Sequence, residues 1–440
     1  MTSLEAKREQ FRKYLERSGV IDALSKALIK LYEEANKPDD AVRFIRKHLC
    51  DTCPDDEAFD NMKADLIEAN NTIIELEREL NRVRGNIKRT PSEVLKILEN
   101  GMQRLDKEES ESPIRKYLPG AFEELKDLKS MFGTTMADIF NAGFENPHSE
   151  KLAVYVGDHD CYNIFATVLD PIIRDYHGIP EDEDFKQPET DFGDPTTLKN
   201  LDPDGKFIKT TKIRVSRNIE EYAFLPKMSE EDYATVMERT SQVLMCLEGE
   251  QDGTFYALED IDSETKKELI KTHVAFDKVN KLLEAGGGYR FWPTGRGIYY
   301  NAPRTFAVWV NEEDHLQVIS MSQTGSLPEI YRRLINAMPT IEKDLKFRRD
   351  DKYGYMTASP TNLGSTLRAS VHINLPKLSA DVDKLRETCK SLNLEVRLRE
   401  EEIEPSLEIA NKQKLGITEY EAVKIFQDGI LELIAQESEK

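Results

Sequence analysis

The chain has 440 residues, which allows about two to four domains, and 39% of them are hydrophobic, enough to build packed cores. Its 82 Asp and Glu against 61 Lys and Arg give a formal net charge of -21, which disfavours nucleic acid and anionic membranes as partners. The start of the chain has no apolar signal-peptide core, no apolar run approaches membrane-spanning length, and cysteines are few, so we expect a cytoplasmic protein.

Residues 1–53 are predicted to form a helical docking module. An apolar stripe that begins at Phe11 is broken at Ser18-Gly19, and a second stripe follows at helical spacing until Pro38. A third short helix is predicted after Asp40, which can cap it. Three short amphipathic helices bury little surface by themselves, so we expect the module to associate with a partner.

Cys50 and Cys53 form a C-x-x-C pair at the end of this module. No second pair of ligands at structural zinc spacing follows, and no thioredoxin-like strand precedes the pair. We therefore interpret these residues as two thiols in a short connector, and we predict no metal site.

A heptad pattern after Pro54 predicts a coiled coil over residues 54–90. Apolar residues recur every seven positions in two series, which are Phe59, Leu66, Ile73, Leu80 and Ile87, and Met62, Ala69, Leu76 and Val83. The pattern predicts a dimer or a coiled coil with a different chain. A single helix packed on its own domain is the alternative.

The first part of the chain resembles the Myc-binding protein family. The likeness rests on KREQFRKYLERSGV at residues 7–20, LYEE at 31–34 and Lys37-Pro38, and it covers roughly residues 1–85. That family is similar to the docking and dimerisation domains of cyclic-AMP-dependent kinase regulatory subunits, which dimerise and grip an amphipathic helix of an anchoring protein. The resemblance implies a tether that binds such a helix or a coiled-coil partner, as in ciliary or axonemal complexes.

Residues 91–190 are predicted to form a small helical domain, and residues 191–204 a linker. From residue 205 to residue 440 strand-like segments appear, in which the apolar residues recur with a period of two. Near the C-terminus, the spacing of Thr418 and Glu421 predicts a capping box that starts the last helix.

Two strand-like segments carry cationic residues on one face. In KIRVS, Lys212 and Arg214 alternate with apolar residues, and in RASVHINL the residues Arg368, Ser370 and His372 do the same. Cationic side chains on the open face of a sheet suit the binding of a phosphate chain. A salt-bridged surface sheet explains the pattern equally well.

Five segments resemble, in order, those of the phosphagen (guanidino) kinases, which include arginine, creatine and taurocyamine kinases. They are NLDP at 200–203, FWPTGRGI at 291–298, NEEDHL at 311–316, PTNLG at 360–364 and QDGI at 427–430. The resemblance runs from about residue 92 to the C-terminus. It implies an α+β fold, in which a small all-α domain precedes an antiparallel sheet flanked by helices. It also implies Mg-ATP or Mg-ADP as the nucleotide and a guanidino substrate that attacks the γ-phosphate.

The same resemblance assigns roles to individual residues. Glu313 matches a carboxylate that grips the guanidinium, Glu404 is expected to match a second one on the lid, and Ser359 stands where the family has a reactive cysteine. Arg399 matches a phosphate-binding arginine if one residue is skipped. The full set expected to face the nucleotide is Lys212, Arg214, His273, Gln317, Arg368, His372 and Arg399.

Several of these positions depart from the family pattern. Lys212 and Gln317 replace arginines, and Ser359 removes the thiolate that touches the guanidinium. The lid REEEIEP at residues 399–405 is acidic and lacks glycine, and SEKL at residues 149–152 replaces a glycine-containing specificity loop. One charge-assisted hydrogen bond contributes about 1.5–3 kcal/mol, and one transition-state arginine about 10³–10⁵ in rate. We therefore predict weak ATP binding and very slow or absent turnover.

Three hypotheses for the function follow from these observations. The first is a phosphagen-kinase-like protein that is impaired or inactive and serves as a structural or anchoring component of a larger assembly. The second is an active, tethered guanidino kinase that buffers ATP locally. The third retains nucleotide binding without catalysis, as a sensor.

Overall fold

The computed structural model describes residues 3–38, 40–49, 61–66, 68, 69, 72, 76, 89–184, 186–272, 274–276, 280–399 and 406–439. The chain divides into two compact units, Met1–Leu80 and Asn81–Lys440. Two of the predicted site residues, His273 and Glu404, lie outside the described residues, and so does most of the predicted coiled coil.

The described residues of the first unit include the helices α1 (Ser3–Arg17), α2 (Val20–Glu33) and α3 (Ala41–Leu49), and residues 61–66, 68, 69, 72 and 76 are also helical. The predicted break between the first two is observed, because Gly19 adopts a positive φ of 73° there. Among the described residues of this unit, Ala27 is the one buried hydrophobic residue, whereas Tyr14 and Tyr32 are 64% and 84% exposed. The helices therefore leave most of their apolar side chains uncovered.

The second unit begins with a helical bundle. Its helices are α4 (Pro91–Lys107), α5 (Pro113–Leu125), α6 (Met136–Glu145), α7 (Cys161–Ile164) and α8 (Ala166–His177). A capping box starts α4, where Thr90 and Glu93 each accept a hydrogen bond from the other's backbone N–H. The core of the bundle continues into the rest of the unit, since Phe224 and Leu363 pack with its buried residues.

An antiparallel sheet of eight strands forms the rest of the unit, in the order β2-β3-β4-β5-β1-β8-β10-β9. Its strands are β1 (Ile208–Arg217), β2 (Gly253–Ala257), β3 (Gly297–Asn301), β4 (Phe306–Val310), β5 (Leu316–Ser322), β8 (Arg368–Ile373), β9 (Leu394–Arg399) and β10 (Ser406–Asn411). The short strands β6 (Arg349–Asp350) and β7 (Gly354–Tyr355) form a separate hairpin. The fold class expected from the sequence is confirmed.

In the part of this region that the structure describes, six helices accompany the sheet. They are α9 (Glu230–Leu244), α10 (Ser263–Lys271), α11 (Lys281–Ala285), α12 (Leu327–Asp344), α13 (Val382–Ser391) and α14 (Glu419–Glu439). The predicted capping box of the last helix is confirmed, because Thr418 N donates to Glu421 Oε2 at 2.8 Å and Glu421 N donates to Thr418 Oγ1 at 3.1 Å.

The two faces of the sheet differ, as the period of two predicts. Ile213 and Val371 point into the main hydrophobic core, together with apolar residues of α12 and α14. On the other side, Lys212 is paired with Ser370, and Arg214 with Arg368. The side chains on this side that bear on the site are here called the polar face, and they are Lys212, Arg214, Gln317, Arg368, Ser370, His372, Glu395, Arg397 and Glu408.

Candidate active site

The turn between β4 and β5 is fixed at both ends by buried hydrogen bonds. Asn311 adopts a φ of 58°, and its Nδ2 donates to Gly295 O at 2.7 Å. Asp314 is fully buried and accepts from Asn218 Nδ2 at 2.7 Å. Asn218 Oδ1 accepts in turn from His315 N at 2.8 Å. This anchoring holds the two intervening glutamates at the edge of the polar face.

Glu312 and Glu313 are the half-buried glutamates of this turn. Burial, reinforced by the charge of Glu313, raises the pKa of Glu312 above its ordinary value. Burial is also the main reason why the pKa of Tyr155 is raised, and Glu313 adds to it, so this tyrosine lies near the turn. A carboxylate in such a position suits a guanidinium, the role that the resemblance implies for Glu313.

Gln317 connects this turn to the polar face. It is fully buried, and its Oε1 accepts from Arg214 Nη1 at 3.2 Å while its Nε2 donates to Glu312 Oε2 at 2.8 Å. Burial and the nearby Arg368 lower the pKa of Arg214, and Glu313 opposes this effect. The neutral amide of Gln317 thus lies between Arg214 and Glu312, and both its oxygen and its nitrogen form hydrogen bonds.

The predicted residues Lys212 and His372 lie on the same polar face. Lys212 Nζ is 5.1 Å from the centroid of the Trp309 ring, a distance that permits a cation–π contact. His372 is half-buried and is paired across the strands with Thr210 and Glu408. The sheet therefore brings both residues close to Arg214 and Arg368.

Arg368 is held by two carboxylates. Its side chain is 7% exposed, its Nη1 donates to Glu395, and its Nη2 lies 3.3 Å from Glu408 Oε1. Glu395 Oε1 also accepts from Arg397 Nη2 at 3.0 Å. These four residues, Arg368, Arg397, Glu395 and Glu408, are here called the Arg368 clamp.

The charges of the Arg368 clamp stabilise one another. Burial lowers the pKa of Arg368, but the two carboxylates outweigh burial and raise it above its ordinary value. Burial raises the pKa of Glu395, but Arg368 and Arg397 outweigh this effect and lower it to about 2. Neither Glu395 nor Glu408 was among the residues predicted from the sequence. The alternation along β9 was a signal for them, but their pairing with Arg368 depends on the strand order.

Ser359 lies at the start of a tight loop beside β8. It is 2% exposed, and its Oγ is 2.9 Å from Thr361 Oγ1. Below the loop, the buried Lys414 donates from Nζ to Thr361 O at 3.0 Å, and burial lowers the pKa of Lys414 to about 7. Gly364 closes the loop with a φ of 94°, where a Cβ atom would lie 2.3 Å from Lys414 O.

The remaining predicted residues are only partly described. Arg399 ends β9, and its side chain lies outside the described residues, as do His273 and Glu404. No group of His, Cys, Asp or Glu in the described parts of the chain could hold a metal ion. Within those same parts, no helix is both long and apolar enough to cross a membrane.

The described site offers a carboxylate turn beside a row of cations. Glu313 is positioned to attract a guanidinium, and Arg214 to attract a phosphate. Arg368, the cation next to Arg214, is already held by carboxylates of its own chain. The site therefore has the layout for phosphoryl transfer to a guanidino group. It has fewer cations available to a phosphate than the row contains, because Arg368 is already paired.

Comparison with protein families matches three segments of the chain. The family described as ATP:guanido phosphotransferase, C-terminal catalytic domain, matches residues 235–440, and the N-terminal domain of the same family matches residues 108–174. The family described as c-Myc-binding protein matches residues 5–86. These matches agree with the two resemblances noted in the sequence.

Individual relatives are arginine kinases. The chain is 45% identical to an arginine kinase of Schistocerca americana over 347 residues, which are 78% of this chain and 97% of that protein. It is 44% identical to an arginine kinase of Callinectes sapidus over 348 residues, with the same coverage of each chain.

Solved structures show the same fold. The substrate-free duplicated taurocyamine kinase from Schistosoma mansoni superposes with a TM-score of 0.72 and 34% identity, over 78% of this chain and 49% of that one. A lombricine kinase superposes with a TM-score of 0.65 and 29% identity, over 72% of this chain and 89% of that one. The chain thus spans about half the length of the duplicated enzyme.

Proposed function

The chain belongs to the phosphagen (guanidino) kinase family, and we propose that it is a member with impaired phosphoryl transfer that serves as a tethered component of a larger assembly. If the protein is active, its ligands are Mg-ATP or Mg-ADP and a guanidino compound; if it is inactive, we propose no cofactor. In this proposal the body of the protein keeps the family fold, and residues 1–90 attach it to a partner.

The observation that carries the proposal is Gln317. The family pattern has an arginine at this position, whereas the chain has a fully buried, neutral amide engaged by Arg214 and Glu312. The transition state spreads negative charge over the transferred phosphoryl group, and a single arginine there is worth about 10³–10⁵ in rate. Lys212 adds a second loss, because an ammonium is a point charge without the bidentate geometry of a guanidinium.

A coupled ATP assay with arginine, creatine and taurocyamine tests this proposal. We expect turnover by the full chain to be absent or about 10³-fold below that of an arginine kinase measured alongside it. The variant Lys212→Arg/Gln317→Arg restores both guanidinium groups and is expected to increase turnover. Rapid turnover by the parent chain would overturn the proposal and support the alternative, an active kinase that buffers ATP where it is tethered.

A nucleotide sensor is a further reading of the same site. Thermal denaturation with and without saturating Mg-ADP separates it from a purely structural role. Under our proposal the midpoint does not shift, because the polar face has too few available cations to hold the phosphates of the nucleotide. A clear rise in the midpoint without turnover would support the sensor instead.

The tether is supported by the family match of residues 5–86 and by exposed apolar side chains in the first unit, such as Phe11 and Leu28, which are 62% and 51% exposed. Apolar surface of this kind is stabilised by a partner. The proposed partner is an amphipathic helix of an anchoring protein or a coiled-coil chain, and the proposed state is a dimer. The proposed setting is the cytoplasm, at a ciliary or axonemal structure.

Light scattering of the full chain tests the dimer. The variant Ile73→Asp/Leu80→Asp introduces charges into the heptad series and is expected to halve the mass. The matched control, Asn71→Asp/Arg78→Asp, introduces the same residues outside both series and is expected to leave the mass unchanged. An unchanged mass for the first variant would remove the coiled-coil dimer from the proposal.

A further inference from the structure

We propose that the Arg368 clamp is an autoinhibitory contact, in which Glu395 and Glu408 occupy Arg368 as internal substitutes for phosphate oxygens. An oxyanion ligand then binds the polar face only by displacing these carboxylates. The inference rests on the proposed function, since it explains by which residues the impaired site refuses phosphate.

The geometry of the Arg368 guanidinium supports this proposal. Carboxylate and phosphate oxygens compete for the same donors of an arginine, because both accept its parallel N–H groups. In the clamp, Nη1 of Arg368 donates to Glu395 and Nη2 lies 3.3 Å from Glu408 Oε1. Both terminal nitrogens are therefore already directed at anions of the chain itself.

The strand order of the sheet brings the residues of the Arg368 clamp to the same face. Glu408 lies on β10, the neighbour of β8, and is paired with His372 of β8 and Arg397 of β9. Glu395 lies on β9, one strand further from Arg368. Because regular strand pairing fixes the backbone positions, both glutamate side chains are directed to the polar face on which Arg368 lies.

The Arg368 clamp is also largely buried. The side chains of Arg368, Glu408 and Glu395 are 7%, 15% and 20% exposed. Water screens such charges poorly, so the attraction between them is stronger than in a surface ion pair. A ligand must break this contact and leave two carboxylates facing its own negative charge.

The neighbouring cation, Arg214, also supports the proposal. Arg214 is the direct cross-strand partner of Arg368, and the bond that it makes to Gln317 is to a neutral group. Two adjacent guanidinium groups without carboxylates would form a strong oxyanion site. The clamp therefore occupies an arginine that would otherwise complete a pair with Arg214.

The test measures binding of sodium tripolyphosphate to the full chain by isothermal titration calorimetry at low salt. The variant Glu395→Gln/Glu408→Gln removes the charges of the two clamp carboxylates, and we expect it to bind at least about tenfold more tightly than the parent. A parent that binds as tightly as this variant, or a variant that gains nothing, would overturn the inference.

A matched control separates the clamp from a general effect of charge. Glu250→Gln/Glu329→Gln also removes two carboxylates from a buried arginine, Arg333, which is 5% exposed. We expect this control to bind like the parent, and an equal gain in both double variants would count against the clamp. Adding Arg368→Met to the clamp variant should abolish the gain, because the freed guanidinium is then missing.

Two further precautions keep the result interpretable. If the double variant fails to fold, as judged by thermal denaturation, Glu408→Gln alone is used, and a gain of at least about threefold is expected from this weaker contact. The turnover assay on the parent chain judges the proposed function independently. Absent turnover together with no gain in binding would remove the clamp and leave the impaired kinase standing.

Discussion

Two buried arginines of the sheet domain are each held by two glutamates, and they serve different ends. Arg333 of α12 lies 2.7 Å from Glu329 and 3.4 Å from Glu250, and its Nη1 also donates to Met321 O at 3.2 Å. Arg368 of β8 meets two carboxylates on the polar face. The first ion pair fastens a helix to the sheet, because it also satisfies a backbone carbonyl. The second occupies a cation in the region where the family transfers phosphate.

In these two ion pairs the location of the pair, and not its composition, decides whether it stabilises the fold or affects ligand binding. Both arginines are nearly buried, at 5% and 7% exposure of their side chains, and both partners are glutamates. A structural pair strengthens the fold when it also fills hydrogen bonds of the backbone. A pair on a binding surface instead lowers the affinity for outside ions, because it satisfies the donors in advance.

The largest expected effect is the loss of stability when each arginine is replaced. Arg333→Met is expected to lower the free energy of unfolding by about 3–5 kcal/mol, because Glu329 and the backbone carbonyls of Thr305 and Met321 lose their donor. Glu250 keeps its hydrogen bonds to Arg332. Arg368→Met is expected to lower the free energy of unfolding by only about 2 kcal/mol, because Glu395 keeps its contact with Arg397. Urea denaturation measures both values. An equal or larger loss of unfolding free energy for Arg368→Met would contradict the difference that we infer between the two ion pairs.

A smaller effect is expected from acid, through Glu395. Burial raises the pKa of this carboxyl, but Arg368 and Arg397 outweigh it and bring it to about 2, below the ordinary value of 4.5. The ionised form therefore stabilises the fold above pH 4.5, and this contribution is lost as the pH falls towards 2. The stability advantage of the parent over Glu395→Gln, on the order of 2 kcal/mol at neutral pH, should shrink over that range. If urea denaturation gives the same difference in free energy of unfolding between the two proteins from pH 5 to pH 2, Glu395 is not ionised in the clamp.

The smallest effect concerns Lys414, which lies close enough to the clamp to feel its charges. Burial lowers the pKa of Lys414 to about 7, an effect that Glu395 opposes and Arg368 adds to. Since the unfolded lysine stays protonated well above that pH, the stability of the parent should rise by about 1 kcal/mol from pH 7 to pH 8. Lys414→Met should lack this rise. Parallel pH profiles of the two proteins would show that the lysine is charged and hydrated.

The sequence predicted the features that depend on neighbouring residues. The alternation around Lys212 and Arg214, and around Arg368 and His372, correctly separates the polar face from the apolar one, since side chains of a strand alternate by local geometry. The capping box at Thr418 is local in the same sense. The motifs of the guanidino kinases led to the correct family and fold class.

The contacts that define the candidate site could not be predicted in this way. Arg368 is 27 and 40 residues from the two glutamates that hold it, and Arg214 is 103 residues from Gln317. Which strands become neighbours depends on the whole sheet, and neither spacing nor composition reports it. The predicted roles of His273, Glu404 and Arg399 remain predictions from the resemblance.

By itself, the amino-acid sequence determined the segments, their periodicity, the family and the substitutions at Lys212, Gln317 and Ser359, because each of these is written in consecutive residues or in a recognisable order of motifs. Only the tertiary structure decided which charges meet. The strand order β8-β10-β9 places two glutamates on Arg368, and β5 beside β1 places Gln317 on Arg214. The reason is physical: the strength of an ion pair depends on distance and burial, and both are properties of the folded chain.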